Sequence, residues 1–569
     1  FSANVSYASL GSSVTLRGNT GAVDGTLTVT GATATFTPSA PLPLACVENA
    51  QVAASAADTT GQALGKAYRW QFTTADGAWA SEQSVSGATY TDGGVYYSAG
   101  DRVAIAADGS AFTSWTAYDP SRQHLYLHAS RYTPAGGWAP HLQFDELLQD
   151  GRYGGGSMLR AVSANGEAMF LWSNPAFGDA GAIVQQMRSI HYGPGWGMPT
   201  TVESDAAPVA IGADANGNFI ATWVGTLESA VRTVRMARFA HGTGWGPVES
   251  PASLYTGGSA TYSPQTITLA TASDGHAIAA WIEGSYGGGG PWWIRAERYV
   301  PATGWSGPET LASGSTPLGS SAVVVAAGSD GSAAVLWRQS PDPSTPTLPA
   351  HVIAKTFSVA WSAATTVDSS QTGVGVNGAP LLATDGSGTF MTIWEQRDAA
   401  TYQVHASRRP KTGGWSTPAL IAPVAIPTDG GAAPTEIPAG LAMGASGDAV
   451  VALQQYAPYA GTYGLGAATY TSGEGWDSAP SLQSDVNGVA RPLIDACGNA
   501  TLVWMKRVDG SVWTSRHVRG GTWNGPSRID LSNLAVTNAL VCDAIGPSGE
   551  VIASWQSGQG YSMAAATFR

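Results

Sequence analysis

The sequence predicts an all-β chain: a small β domain over residues 1–75, then a large closed β-propeller over 76–569, with nine four-stranded blades and eight as the alternative. Three observations predict it. A glycine is followed six residues later by tryptophan at Gly109…Trp115, Gly166…Trp172, Gly217…Trp223, Gly275…Trp281, Gly331…Trp337, Gly388…Trp394, Gly498…Trp504 and Gly549…Trp555, and a ninth copy, Gly447…Leu453, keeps the glycine without the indole. A glycine-rich turn entering a tryptophan alternates with it, at Trp79, Trp138, Trp196, Trp245, Trp305, Trp361, Trp415, Trp476 and Trp523. The run after each spaced glycine is apolar on successive residues, as in Phe219-Ile220-Ala221 or Val450-Val451-Ala452. A sheet wet on one face would alternate instead, so both faces are buried, as blade-on-blade stacking requires.

Each repeat reads as four strands. In the third, 209–214 is a short strand, Asp214-Ala215-Asn216-Gly217 a polar turn, 218–224 a strand ending near Trp223, 234–239 a third, and Gly242-Thr243-Gly244 turns into a fourth at Trp245. The last repeat runs to 562–568 and stops without its Gly-Trp strand, while Gly77-Ala78-Trp79-Ala80-Ser81 carries that motif with no three strands before it. The segment at Trp79 is therefore predicted to complete the last blade. Residues before it show no repeat and read as a separate all-β domain.

Composition narrows the function. Gly 72, Trp 21 and Tyr 20 exclude a disordered chain and fit short strands joined by turns. No run approaches eighteen apolar residues, so no membrane span is expected, and the reading is of a secreted protein that has already lost its leader. A net charge of -13 without a Lys/Arg cluster argues against nucleic acid. Cys46, Cys497 and Cys542 allow one intrachain bridge and one leftover thiol, and lack the paired spacing of a zinc site. The nine histidines show no ligand spacing, and the Asp-x-x-Gly turns lack the terminal glutamate of a calcium loop. No phosphate loop, dinucleotide fingerprint or nucleophile elbow is present, so neither metal nor cofactor is expected.

Within a blade the first and third turns share one face and are short, whereas the second turn and the crossover share the other and lengthen, at 150–157, 251–263, 283–291, 339–349 and 422–436. Long loops on a rigid scaffold are where binding resides. They carry Tyr153, Tyr255, Tyr286, Trp292 and Trp293, rings suited to stacking on sugars or on a protein partner, or to covering neighbouring blades. Arg102, Arg160 and Arg491 stand twelve or thirteen residues before a blade's tryptophan, on innermost strands of blades expected to be neighbours. Together they could hold a carboxylate, or each could simply pair with a nearby acid. The repeated tryptophans themselves read as wedges between blades.

Two resemblances add to this. The runs Gly21-Ala22-Val23-Asp24-Gly25-Thr26, Ala34-Thr35-Phe36-Thr37-Pro38 and Tyr68-Arg69-Trp70-Gln71-Phe72-Thr73-Thr74, with Ala57-Asp58-Thr59-Thr60-Gly61-Gln62-Ala63-Leu64 between the last two, resemble bacterial Ig-like domains of the surface-layer type. In that family a first strand precedes the Phe1-Ser2 position, so the resemblance implies either a first strand supplied by residues upstream of Phe1 or a sheet with an open groove beside 14–17. The repeats resemble divergent, distantly sialidase-like propellers of secreted bacterial proteins, but Ser329-Asp330-Gly331-Ser332 departs from the sialidase Asp-box.

The expectation is a non-catalytic bacterial protein, extracellular or at the cell surface, with the propeller as a rigid adhesive platform. Its partners would be cell-surface glycans or proteins, and other copies of itself joined by strand addition into filaments. A lectin and a sialidase-like glycan-cleaving enzyme are the alternatives.

Overall fold

The spaced glycine is where the first hairpin of each blade turns. All nine, from Gly109 (φ 74°) to Gly549 (φ 89°), have the positive φ that glycine adopts without strain. In the third blade Asp214 closes the turn by accepting the N–H groups of Asn216 and Asn218 at 2.8 and 2.9 Å. A side chain at Gly217 would also strike Glu167 of the preceding blade, its Cβ 2.6 Å from a carboxylate oxygen. The glycine thus serves the turn and the spacing of blades at once.

The computed structural model describes the chain except for residues 20, 87–94, 97–102, 120–123, 148–157, 178–182, 227–231, 253–266, 285–290, 316–317, 319–322, 341–349, 369–374, 398–400, 426–434, 458–461, 478–479, 531–540 and 558–561. The strands pair into nine antiparallel units, blades 1 to 9. Blade 3 is typical, with strands Ala206–Ala213, Phe219–Thr226, Arg232–Ala240 and Gly244–Trp245. Blades 7 and 8 share one 14-residue strand, Ser481–Ile494, which ends the first and begins the second. Contacts between first strands run from Ala104–Ile105 of blade 1 round to Cys542–Ile545 of blade 9, which touches blade 1 again. The ring therefore holds nine blades, and the eight-bladed alternative is set aside.

Second strands are buried on both faces; Ala277–Gly284 is buried at every position. Eight of the nine carry the spaced tryptophan, and Trp115, Trp172, Trp223, Trp281, Trp337, Trp394, Trp504 and Trp555 are among the largest fully buried side chains. In blade 7 Leu453 is equally buried, opposite Gly466 on the third strand. In blade 1 the residue opposite Trp115 is His128, stacked on the indole at 5.6 Å with an interplanar angle of 9°.

The second tryptophan clamps the third strand to the fourth. Tyr132 packs on Trp138, Tyr192 on Trp196, Phe239 on Trp245, Tyr299 on Trp305, Phe357 on Trp361, Tyr470 on Trp476 and His517 on Trp523, with centroids 5.1–5.6 Å apart. Blade 9 makes the same contact between chain ends: Phe568 packs on Trp79 at 5.7 Å and bridges it, and Ala564 and Ala565 pair with Ser84 and Gln83. An arginine then caps the clamp of the next blade. Arg131 lies over Tyr192, Arg238 over Tyr299, Arg298 over Phe357, Arg408 over Tyr470 and Arg516 over Phe568; Arg569 returns to Tyr132 of blade 1 at 5.2 Å. Contacts of this kind are worth about 0.5–2 kcal/mol each.

The N-terminal domain holds strands β1 (Val14–Gly18), β2 (Gly21–Ala22), β3 (Gly25–Thr30), β4 (Thr33–Pro38), β5 (Val47–Val52) and β6 (Tyr68–Thr73). One sheet has the order β2-β1-β5-β6; the β3–β4 hairpin faces it, with Leu27, Val29 and Ala34 packed on a core of Val5, Leu10, Val52 and Ala56. The expected groove beside 14–17 needs correction. β2 pairs with Arg17 and Gly18, and the Val23 N–H donates to the Leu16 carbonyl, so that edge is covered over Leu16–Gly18, while β6 at the other side pairs with no further described strand.

Two outcomes are expected. Trp79→Ala should cost about 2–4 kcal/mol, read as a lower unfolding midpoint together with faster amide exchange across Ser562–Phe568. Burial first, and His141 second, push His128 down to about 3, so the folded state holds it neutral. Stability is complete above the unfolded value of about 6.5 and falls as pH drops toward 3. Melting curves of His128→Gln should show a shallower loss between these limits.

Candidate functional site

The face with the long second turns and crossovers is the expected binding face. Of the residues predicted there, Tyr153, Tyr255, Tyr286 and Arg102 lie outside the described residues. Trp292 and Trp293 begin the third strand of blade 4, Trp292–Val300, where they pair with Gly284 and Glu283. Trp292 is not an exposed ring. It is 2% exposed, in one core cluster with Leu311, Leu318, Val323 and Trp337, and Gly314 beside it leaves room for the indole. Adjacent glycine-rich sequence made it look like a loop residue; its neighbours in blade 5 make it a wedge. Trp293 is half-buried and has no place in that cluster.

Of the three arginines, the two that are described are not brought together. Arg160, on the first strand of blade 2, donates to Ser114 of blade 1, whereas Arg491, on blade 8, is exposed. Blades 9 and 1 stand between them in the ring of nine.

Other charges meet between blades, and their spacing hid them. Asp145, from the last strand of blade 1, accepts the Trp172 indole N–H at 2.6 Å and Arg188 Nη1 at 2.5 Å, both from blade 2. Glu203 of blade 2 does the same for Trp223 and Arg235 of blade 3. In blade 4 the pair Arg295–Glu283 is buried at 3.3 Å beside Trp281. On the short-turn face Glu167 receives His191 at 3.0 Å and His241 at 2.8 Å; burial, the largest influence, lowers His191 although the carboxylate opposes it. Asp145, Glu203 and Glu167 thus link neighbouring blades, and Glu283 is paired within blade 4. Among the described residues no group of three or more His, Cys, Asp or Glu is placed to hold a metal ion, and no helix is long and apolar enough to cross a membrane.

The N-terminal domain is fastened to the short-turn face. A disulfide joins Cys46 to Cys497 in the first turn of blade 8, with Cα atoms 5.7 Å apart, and Cys542 is buried outside it. Leu44 donates its N–H to the Ser548 carbonyl of blade 9 at 2.9 Å and accepts Asn499 Nδ2 at 3.1 Å. Arg516 reaches Asp76 at 3.0 Å. Burial raises Asp495 beneath this junction, against its hydrogen bonds from Asn499. Among the described residues, these contacts of the N-terminal domain with blades 8 and 9 lie on the short-turn face.

The outer face of the β1–β5–β6 sheet forms a trough of about 500 Å³ bordered by Thr15, Arg17, Asn49, Gln51, Arg69 and Gln71, with Ala50 and Trp70 adding apolar surface. Alternation places the polar side chains together, away from the core. Arg69 Nε donates to Gln51 at 2.7 Å and Gln71 to Asn49 at 2.6 Å, so the floor is an ordered ladder of amides flanked by two exposed guanidinium groups. Such a surface can hold hydroxyl or carboxylate oxygens.

Residues 1–74 match the family of bacterial Ig-like domains. No curated protein matches the chain. Solved structures similar to it include the polysaccharide lyase Uly1 (11% identity, 83% of this chain and 91% of that one, TM-score 0.39). Others are the propeller domain of the trilobed protease from Pyrococcus furiosus (7%, 68% and 97%, 0.33) and an α-L-arabinanase from Penicillium chrysogenum (12%, 54% and 96%, 0.31).

Trp292→Ala is accordingly expected to lower stability by about 3–5 kcal/mol. Denaturant titration checks it; an unchanged midpoint would return this indole to the surface.

Proposed function

We propose that this chain is a non-catalytic extracellular bacterial protein in which a closed propeller serves as a rigid adhesive platform held by its Ig-like domain. The fastening of that domain to the short-turn face carries the reading. The bond between Cys46 and Cys497 supports an oxidising compartment, and it ties the domain to the short-turn side of blade 8. A bacterial Ig-like domain at 1–74 agrees with a surface location. The carboxylates described between blades are already engaged with tryptophan, arginine or histidine, which speaks against a glycoside-cleaving pair among them. Carbohydrate binding is the second reading, favoured by the amide ladder and guanidinium groups of the trough.

A glycan array with neutral and acidic members, run beside a turnover assay, tests both. Binding without turnover is the expected result. Arg17→Ala combined with Arg69→Ala should weaken binding of acidic glycans by roughly 1–3 kcal/mol while leaving the melting temperature unchanged. Hydrolysis or elimination of any glycan would replace this reading with an enzyme.

A further inference from the structure

β6 is a six-residue strand exposed at every position, paired with β5 on one side and with no described strand on the other. Natural sheets blunt such edges with proline, bulges or several charges. β6 has none of these except Arg69. Tyr68, Trp70 and Phe72 lie on one face, opposite Val52, Ala50 and Glu48 of β5. Those three are 0–7% exposed, because this is the core side of the sheet, yet the aromatics are 64%, 42% and 39% exposed. The β3–β4 hairpin packs on Val14 and Val52 and does not extend over β6.

We infer that two copies of this chain associate by antiparallel pairing of β6 with β6 about a two-fold axis through Trp70. The sequence Tyr68-Arg69-Trp70-Gln71-Phe72 is symmetric in kind about its centre. In that register Trp70 faces Trp70, each Tyr68 faces a Phe72, and each Arg69 faces a Gln71, so three aromatic pairs form and no like charges oppose. Net charge permits it at this place. Arg17, Lys66 and Arg69 balance Asp24, Glu48 and Asp58 over residues 1–74, so the net -13 lies in the remainder of the chain. The neutral domain is where two acidic molecules can meet. β6 leads at its C-terminal end to Asp76 and the propeller, so antiparallel pairing sends the two propellers to opposite ends. Isologous pairing uses both edges up and gives a closed dimer, not the filament that head-to-tail addition would give. The association is independent of what the propeller binds.

The interface is small, so the dimer should dissociate on dilution. Sedimentation velocity of the full chain over a concentration series is expected to show monomer passing to dimer and nothing larger. Trp70→Glu, which sets two carboxylates face to face, should leave only monomer with an unaltered melting temperature. Gln71→Glu places a carboxylate opposite Arg69 twice and should tighten the dimer roughly 2- to 30-fold, whereas Gln71→Lys should loosen it by a similar factor. A wild-type chain that stays monomeric, one that grows past the dimer, or two Gln71 variants that shift association in the same direction would each overturn the inference.

Discussion

The structure depends on one recurring object: a tryptophan, fully buried in the second strand, wedged between its own blade and the one before. A propeller blade has almost no core of its own, since its two faces are the walls of its neighbours. The large side chain must therefore sit where blade faces diverge, and a β-strand fixes its height only if the turn before it is fixed. Glycine six residues upstream does this, through positive φ and close passage over the preceding blade's acid. Blade 7 shows what the constraint truly is. Leu453 replaces the indole there because the demand is for buried volume, not for an aromatic ring.

Given the wedges, ring closure becomes a problem of chain ends. Eight blades draw all their strands from consecutive residues, and the ninth takes its outer strand from the N-terminal side of the repeats. The aromatic clamp is the same in both cases, Phe568 on Trp79 repeating Tyr132 on Trp138, so closure uses no special chemistry. The arginine caps carry the same logic one step further, because Arg569 reaches blade 1 as Arg131 reaches blade 2. A ring assembled this way has no weak seam by design of its contacts; its vulnerability is entropic, since two segments nearly five hundred residues apart must meet.

How much was legible follows from which interactions are periodic in sequence. Gly217 and Trp223 belong to one strand and its turn, so their spacing is fixed and visible. Asp145 serves Trp172 and Arg188 from a different blade, across a loop of variable length, and no fixed spacing marks it. Trp292 was misplaced for a related reason: glycines at 287–290 resemble an exposed loop, while the partners that bury the ring, Leu318 and Val323, lie beyond the next crossover. Of the arginine arc, Arg160 and Arg491 are described and stand with two blades between them, on blades 2 and 8 of a ring of nine, a separation that spacing within one repeat cannot show. The open edge of the Ig-like sheet was anticipated and its position was not. That position depends on how far a two-stranded hairpin reaches across four strands, a matter of packing and not of pattern.

The two domains divide the chain's chemistry. Long charged side chains are scarce, and in the propeller several of the described ones are spent on the blades themselves: Arg188 and Arg235 meet a carboxylate of the preceding blade, and Arg295 meets Glu283 beside Trp281 within blade 4. Removing one partner from such a pair leaves an uncompensated charge in low dielectric, so these residues are poorly free to evolve as ligands. The polar side chains of the Ig-like sheet carry no such obligation. Arg17 and Arg69 are exposed, their domain is held by a covalent bond and by backbone hydrogen bonds from Leu44, and the sheet can change its outer face without loosening the ring.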